Sequence, residues 1–190
     1  MSDYPVLTLE TASDEARPVL ETTRAAFGFI PNLLGVMAHS PALAEAYLTV
    51  SGLFDKSDLT PTERQVVLLT VSQYHGCHYC VAAHSTLSEM QGIAADVVAA
   101  IRNDQLIADA KLQALRVFVR AVVEKRGWLE PRDQEAFYAA GYEPHHVMDV
   151  LVGVAQKTMS NFTNHIAQTP LDDAFSAHAW NPEQRSAGHG

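Results

Sequence analysis

Two cysteines and a histidine stand at a spacing that can carry out thiol–disulfide chemistry. Cys77, Cys80 and His84 form a Cys-x-x-Cys-x-x-x-His motif. On a helix of about 100° per residue, the three side chains fall within an arc of about 60° and project from one face. The two thiols are then close enough to form a disulfide. His84 is one turn beyond Cys80, where an imidazole can exchange a proton with the thiol. The helix N-terminus should lower the pKa of the Cys77 thiol.

Three interpretations of the motif are open, and we favour the third. The first is a pair of structural cysteines beside a core histidine. The second is a zinc site, although structural zinc needs four ligands and a fourth would have to come from His75, His78 or the distant His165. The third is a redox-active dithiol. Haem attachment is excluded because Val81, not histidine, follows the second cysteine. A thioredoxin-like site is disfavoured because no βαβ pattern surrounds the motif.

The elements that position this motif are predicted to be helices throughout. Helix punctuation recurs along the chain, including a capping box at Thr60–Glu63, whereas clean period-2 alternation does not occur. The predicted helices span approximately 14–27, 31–38, 41–54, 61–74, 77–90, 94–101, 108–125, 131–140 and 144–168. We therefore predict an all-α, single-domain bundle of about eight to nine helices over residues 1–175. Residues 176–190 are polar and turn-rich, and are predicted to form a mobile tail.

Composition narrows the possible partners and compartment. The 190 residues include 13 Lys plus Arg against 22 Asp plus Glu, which gives a net charge of −9. Such a surface repels phosphate backbones and anionic lipid, so neither nucleic acid nor membrane is an expected partner. The first residues do not predict a signal peptide, and no apolar run of about 20 residues occurs. We expect a cytoplasmic protein, in which a Cys-x-x-Cys pair is redox-active or metal-binding.

At the motif the chain resembles the carboxymuconolactone decarboxylase superfamily, in its AhpD-like alkylhydroperoxidase, peroxidase-related branch. The matching stretch is LTPTERQVVLLTVSQYHGCHYCVAAHS, and similar flanks extend the likeness from about Ala25 to Phe175. The resemblance implies an all-helical protein that assembles as a trimer or hexamer. It also implies that the two cysteines cycle between dithiol and disulfide while a hydroperoxide is reduced. Electrons would come from an external dithiol, either a lipoyl protein or a thioredoxin-like one.

Two positions depart from the pattern of the branch. AhpD-like enzymes carry a glutamate twelve residues before the first cysteine, in a proton relay with the histidine, and here that position is Gln65. Glutamine keeps the hydrogen-bond geometry but cannot take a proton. We therefore expect the attacking thiol to titrate higher than in relay-bearing relatives, and Gln65→Glu to lower the pH at which the enzyme works. The second departure is Tyr79, which replaces a histidine between the cysteines.

The leading hypothesis is a hydroperoxide reductase with Cys77, Cys80, His84 and Gln65 in its site. Cys80 is favoured as the attacking thiol because His84 is one turn away. No cofactor or metal is predicted, since no glycine-rich phosphate loop occurs. A lactone decarboxylase-like lyase is one alternative, although true lactone decarboxylases lack the cysteine pair. A non-enzymatic helical oligomer that senses redox state or holds zinc is the other.

Further polar residues are interpreted as structural. Asn161, Asn164 and His165 are predicted to form a solvated or subunit-contacting face of the last long helix rather than part of the site. Glu63 is expected to complete the capping box, and His145–His146 to lie in the first turn of a helix. Apolar helix faces in excess of what a small bundle buries predict a homo-oligomer.

Overall fold

The computed structural model describes residues 3–181, which fold into nine α-helices and one 3₁₀-helix and contain no strand. The α-helices are α1 (Arg17–Phe27), α2 (Asn32–Met37), α3 (Pro41–Phe54), α4 (Pro61–Tyr74), α5 (His78–Met90), α6 (Ala95–Arg102), α7 (Ala110–Glu124), α8 (Pro131–Ala139) and α9 (Pro144–Ala167). The 3₁₀-helix is Asp173–His178. The predicted all-α class is thus confirmed, and within these residues no helix is long and apolar enough to cross a membrane.

Helix α4 is the central element of the bundle. It packs against α5, α6, α7 and α9, so it is buried almost all round. The predicted capping box starts it: Thr60 Oγ1 accepts from Glu63 N–H, and Glu63 Oε2 accepts from Thr60 N–H. Glu63 also receives bonds from Lys111 and Tyr142. Although burial alone would raise its pKa, these bonds lower the Glu63 pKa to about 2, as befits a structural carboxylate.

Helix α9 crosses α3 and α4 at close range because it carries glycine at the crossing. A Cβ at Gly153 would lie 2.7 Å from Val67 and 2.8 Å from Phe54. The backbone of α9 can therefore approach both helices, which brings the next two turns of α9 over the cysteine motif of α5.

The packed part of the chain continues beyond residue 175, where the tail is predicted to begin. The Arg102 guanidinium donates to the carbonyls of His178 and Ala179 at 3.0 and 3.2 Å. The Trp180 indole in turn donates to the Arg102 carbonyl at 3.1 Å. Residues 178–180 are therefore bonded to the end of α6, and the rest of the predicted tail, 182–190, is outside the described residues.

One face of α9 remains apolar and exposed, and it motivates the prediction of a homo-oligomer. Met148, Leu151, Phe162 and Ile166 are 43–71% exposed, and their spacing places them within an arc of about 60°. We expect the solution mass to be a multiple of the 20.7 kDa chain. Ile166→Glu should shift it toward the monomer, because a charge is not tolerated in an apolar interface.

Light scattering of both forms measures this, and Leu106→Glu is the matched control, since Leu106 is 80% exposed and lies away from the stripe on α9. A clean 20.7 kDa species for the unmodified chain would contradict the prediction.

Candidate active site

The turn between α4 and α5 presents the two cysteines. Gly76 adopts a φ of +68°, which a residue with a side chain rarely adopts, and Cys77 N–H bonds to the Ser72 carbonyl at 2.9 Å. Cys77 is the N-cap of α5, so the helix begins at His78, one residue later than predicted. Both cysteines are free thiols and only 1% exposed. They are therefore shielded from bulk solvent.

Two side chains from α9 contact the sulfurs. Asn164 Nδ2 lies 3.2 Å from Cys80 Sγ and 3.7 Å from Cys77 Sγ. Ser160 Oγ lies 3.7 Å from Cys80 Sγ. The prediction that Asn161 and Asn164 belong to a solvated face is therefore wrong. Both are buried, and Asn161 bonds to His75 Nδ1 at 3.0 Å, whereas His165 is exposed as expected.

A buried lysine completes this arrangement. Lys157 is 1% exposed, and its Nζ lies 3.0 Å from His84 Nε2. A buried ammonium is stable only if an opposite charge or a set of acceptors compensates for lost water. Burial by itself lowers the pKa of Lys157. The Cys80 thiolate, by charge and hydrogen bond, together with Tyr47 and Cys77, raises this pKa by more, so the net pKa of Lys157 is raised. The charge of Lys157 therefore favours the ionised form of the Cys80 thiol.

The hydrogen-bond chain assigns the tautomer of His84. An ammonium can only donate, so Nε2 of His84 must accept from Lys157. Nδ1 then carries the proton and donates to Gln65 Oε1 at 3.0 Å. Gln65 is oriented by donating through Nε2 to Gln91 Oε1 at 3.4 Å. His84 is therefore neutral, and Gln65 holds its ring in place as an acceptor.

The two thiols differ in acidity. Burial tends to raise the pKa of Cys80, but the hydrogen bond from Cys77 and the charge of Lys157 outweigh it, so the Cys80 pKa is well below the ordinary value. The hydrogen bond to Cys80 is the main cause that raises the pKa of Cys77, followed by burial. The expectation that the helix N-terminus would lower the pKa of Cys77 is wrong, because Cys77 keeps its proton to share with the Cys80 thiolate.

The expectation of a high-titrating attacking thiol is also overturned. It assumed that only His84 and the helix terminus could stabilise a thiolate. Burial and the charge of Lys157 instead lower the pKa of His84 well below its ordinary value. The cation beside Cys80 is a lysine, so the thiolate does not depend on an imidazolium or on a carboxylate at position 65.

Tyr79 has a structural reason to stand between the cysteines. Its hydroxyl donates to Asp172 Oδ2 at 2.5 Å and accepts from Leu33 N–H at 3.3 Å. Asp172 also accepts from the Asn32 backbone at 3.1 and 3.2 Å. This network fastens the first turn of α5 to the start of α2 and to the segment before the 3₁₀-helix. Tyr79 therefore holds the cysteine turn from the side of α2.

A cleft of about 330 Å³ opens at Cys77, and we call it the Cys77 cleft. Its lining residues are Cys77, His78, Tyr79, Asn164, His165, Gln168 and Thr169. Cys80 is not among them. The cleft therefore borders Cys77 and not Cys80, although both cysteines are equally buried.

The arrangement does not resemble a zinc site. Both ring nitrogens of His84 are engaged, with Gln65 and with the ammonium of Lys157. Among residues 3–181, no group of three His, Cys, Asp or Glu side chains is placed to hold a metal ion.

The site combines a buried Cys-x-x-Cys dithiol with a buried lysine in an all-helical bundle. One known protein family matches the part of the chain that carries the two cysteines. The model of the carboxymuconolactone decarboxylase family matches residues 41–124. The predicted resemblance to this family is therefore confirmed over residues 41–124. No curated protein sequence matches the chain significantly.

Solved structures extend the likeness over the whole bundle. An uncharacterised peroxidase-related protein from Ralstonia eutropha JMP134, described as an alkylhydroperoxidase AhpD core, is 26% identical, with 92% of this chain and 94% of that chain covered and a TM-score of 0.75. A peroxidase-related protein from Silicibacter sp. TM1040 is 18% identical, with 91% and 94% covered and a TM-score of 0.76. A cysteine-to-alanine variant of the debrominase Bmp8, in complex with 2,3,4-tribromopyrrole, is 18% identical, with 94% and 96% covered and a TM-score of 0.78.

Lys157, Asn164, Ser160 and Tyr47 are the site residues that sequence reasoning missed. One signal was present for three of them. Residues 153, 157, 160 and 164 follow helical spacing, so they share the face of α9 that carries the crossing glycine. The Tyr47 phenol lies beside Gln156 and Ser160, and its pKa is raised mainly by burial; nothing in the local sequence of α3 marks it.

The geometry reverses the expected effect of Gln65→Glu. Because the Lys157 ammonium lowers the pKa of His84, a carboxylate at position 65 would not draw a proton onto that ring and would remain as a further negative charge near Cys80. This charge weakens the stabilisation of the thiolate, so we expect the Cys80 titration to move up by about one pH unit. Thiolate absorbance at 240 nm against pH measures the shift. A shift to lower pH would mean that His84 acts as a cation after all. Gln91→Glu, one hydrogen bond further from His84, is the control.

Proposed function

We propose that the chain is a thiol-dependent hydroperoxide reductase of the AhpD-like type, with Cys80 as the attacking thiolate and Cys77 as the resolving thiol. The observation that carries the proposal is the buried Lys157 ammonium, bonded to His84, whose charge lowers the pKa of the Cys80 thiol. A buried structural thiol has no need of a cation, whereas a nucleophilic thiol is activated by one. The 26% identical AhpD-core structure supports the same reaction class.

The thiolate attacks the terminal oxygen of the hydroperoxide, and the O–O bond breaks. Cys80 becomes a sulfenic acid, and the alkoxide takes a proton and leaves as an alcohol. Lys157 is a buried charged donor that acts on the reacting sulfur, so it is the proposed source of that proton. The Cys77 thiol then attacks the sulfenic sulfur, the S–O bond breaks, and water leaves as the Cys77–Cys80 disulfide forms. An external dithiol reduces this disulfide and closes the cycle.

The remaining side chains have positioning roles in this scheme. Asn164 Nδ2 donates toward both sulfurs, so it can hold them together in the dithiol and support the negative charge on Cys80. His84 accepts from Lys157 and so aims the ammonium, while Gln65 fixes the His84 ring. A glutamine suffices for this purpose because no proton has to pass to position 65.

Mass analysis after limiting hydroperoxide tests the proposal. The purified protein should lose two hydrogens per chain and gain an intramolecular Cys77–Cys80 link, while one equivalent of hydroperoxide is converted to alcohol. With dithiothreitol present, the consumption of hydroperoxide should become catalytic. No disulfide and no consumption above that of Cys80→Ser would refute the proposal.

Two further measurements separate the alternatives, namely the activity of the serine variants and the zinc and thiol content. A lyase of the lactone decarboxylase kind would keep its activity in Cys77→Ser and Cys80→Ser, because its chemistry would not pass through sulfur. A zinc-holding oligomer would contain stoichiometric zinc and no titratable thiol.

A further inference from the structure

The Cys77 cleft contains two buried polar atoms that lack a protein partner. Asn164 is only 6% exposed, and its Oδ1 accepts no hydrogen bond; Thr169 Oγ1 is also buried and unpartnered. Both residues line the same cleft. Buried polar atoms without a partner are rare in folded proteins, and at an open cleft they indicate a ligand that supplies the missing bonds.

The end of α9 brings these two residues together at the cleft. Gln168 caps the helix with a φ of +52°, and the Thr169 N–H bonds back to the Asn164 carbonyl at 3.3 Å. Asn164 therefore presents an acceptor, and the adjacent Thr169 a hydroxyl that can donate. An acceptor beside a donor is complementary to the N–H and C=O of a secondary amide.

The position of the cleft identifies which reactant meets it. It opens on Cys77 and not on Cys80, so a thiol that enters it reaches the Cys77 sulfur of the disulfide. Attack there is also the faster route, because Cys80 leaves as a thiolate that Lys157 stabilises. The residues that line the cleft include two histidines and none that is acidic, which suits an incoming thiolate on a chain of net charge −9.

The number of bonds between the attacking sulfur and the nearest amide then distinguishes a cysteinyl donor from a lipoyl donor. Asn164 Nδ2 lies 3.7 Å from Cys77 Sγ, and Oδ1 is bonded to the same carbon, so the free acceptor is within a few ångströms of the attacked sulfur. A cysteine carries its backbone amide three bonds from its own sulfur. In a lipoyl group, by contrast, a chain of methylenes separates the sulfurs from the amide.

We infer that the Cys77 cleft binds the reducing partner through the backbone amide of an attacking cysteine, so the electron donor is a cysteinyl dithiol rather than a lipoyl group. The donor thiolate forms a bond to Cys77 Sγ, the Cys77–Cys80 bond breaks, and Cys80 leaves with the electron pair. The second thiol of the donor then attacks the donor sulfur of the mixed disulfide. Cys77 is released as a thiol, and the donor departs as a disulfide. This inference rests on the proposed dithiol cycle.

The experiment measures how fast donors reduce the disulfide form, prepared with diamide so that it does not depend on peroxidase activity. The donors are a blocked Cys-Gly-Pro-Cys peptide, the same peptide N-methylated at its first cysteine, dihydrolipoamide, and a thioredoxin-type protein. Each rate constant is divided by that of the same donor with a small model disulfide, which removes differences in intrinsic thiol reactivity. Failure of diamide to form the disulfide would count against the proposed function itself.

We expect the peptide to exceed its N-methylated form by about three- to tenfold, the effect of one hydrogen bond, and to exceed dihydrolipoamide. In Thr169→Val the ratio of peptide to dihydrolipoamide should fall, whereas Thr163→Val, an equivalent change elsewhere on α9, should keep it. If the thioredoxin-type protein reacts faster than the peptide, the donor is a protein. If the two react at equal rates, a small peptide is sufficient as the donor. Equal rates for the peptide and its N-methylated form, or a faster dihydrolipoamide, would overturn the inference.

Discussion

Replacing Lys157 with methionine should lower the rate of hydroperoxide reduction at pH 7 about a hundredfold. Methionine is similar in length and fills the buried space, but it removes the charge that holds Cys80 as a thiolate. A thiol of ordinary pKa near 9 is only about 1% ionised at pH 7, which sets the size of the effect. Because the thiolate is the attacking species, the rate should fall with the thiolate fraction.

The pH profile separates this role from a structural one. The rate of the unmodified protein should be level from pH 7 to 9, since the pKa of Cys80 is well below its ordinary value. The rate of Lys157→Met should rise about tenfold from pH 7 to 8 and about fivefold more from pH 8 to 9, as the thiol ionises without help. A loss of folding would not produce such a recovery.

Thiolate absorbance and single-turnover peroxide kinetics measure both effects. Lys56→Met removes an equal charge from an exposed position and should leave the profile in place. A Lys157→Met protein that kept its thiolate at pH 7 would show that some other group lowers the pKa of Cys80.

Cys80→Ser should abolish turnover and also destabilise the fold by about 3 kcal/mol near pH 8, the effect expected when one partner of a buried ion pair is removed. A serine hydroxyl stays neutral, so Lys157 would lose its counter-ion while still surrounded by protein. Cys77→Ser should keep the ion pair and most of the stability. It should react once with hydroperoxide and stop at a sulfenic acid that dimedone traps.

The destabilisation caused by Cys80→Ser should become smaller as the pH falls. The folded-state pKa of Cys80 is depressed, so its contribution is fully present above the unfolded thiol pKa and is lost as the pH falls toward the folded one. The gap in unfolding free energy between the unmodified protein and Cys80→Ser should therefore narrow from pH 8 to pH 5. Urea denaturation under reducing conditions measures it, with Cys77→Ser as the comparison. A gap that stayed constant with pH would contradict a buried thiolate.

Local sequence signals were sufficient for the helices and for part of the site. Proline and capping residues start helices through interactions within one turn, as at Thr60–Glu63, so they can be read from neighbouring residues. Cys77, Cys80 and His84 lie within eight residues, and their spacing alone places them near one another. Gln65 was identified through the family resemblance, which places a relay residue twelve positions before Cys77, and the structure places it against His84.

The protonation state of the site could not be predicted in the same way. The cation beside Cys80 is Lys157, which is 77 residues away in the chain, and it arrives there because Gly153 lets α9 cross α4 and α3 closely. Asn164 was misassigned for the same reason, since its polar spacing is equally typical of a solvated face. Electrostatic interactions depend on distance through space and on burial, and neither exists until the helices have packed. The spacing of the motif therefore located the thiols, but only the crossing of α9 over α5 decided that Cys80 is the thiolate, that Cys77 keeps its proton, and that His84 remains neutral.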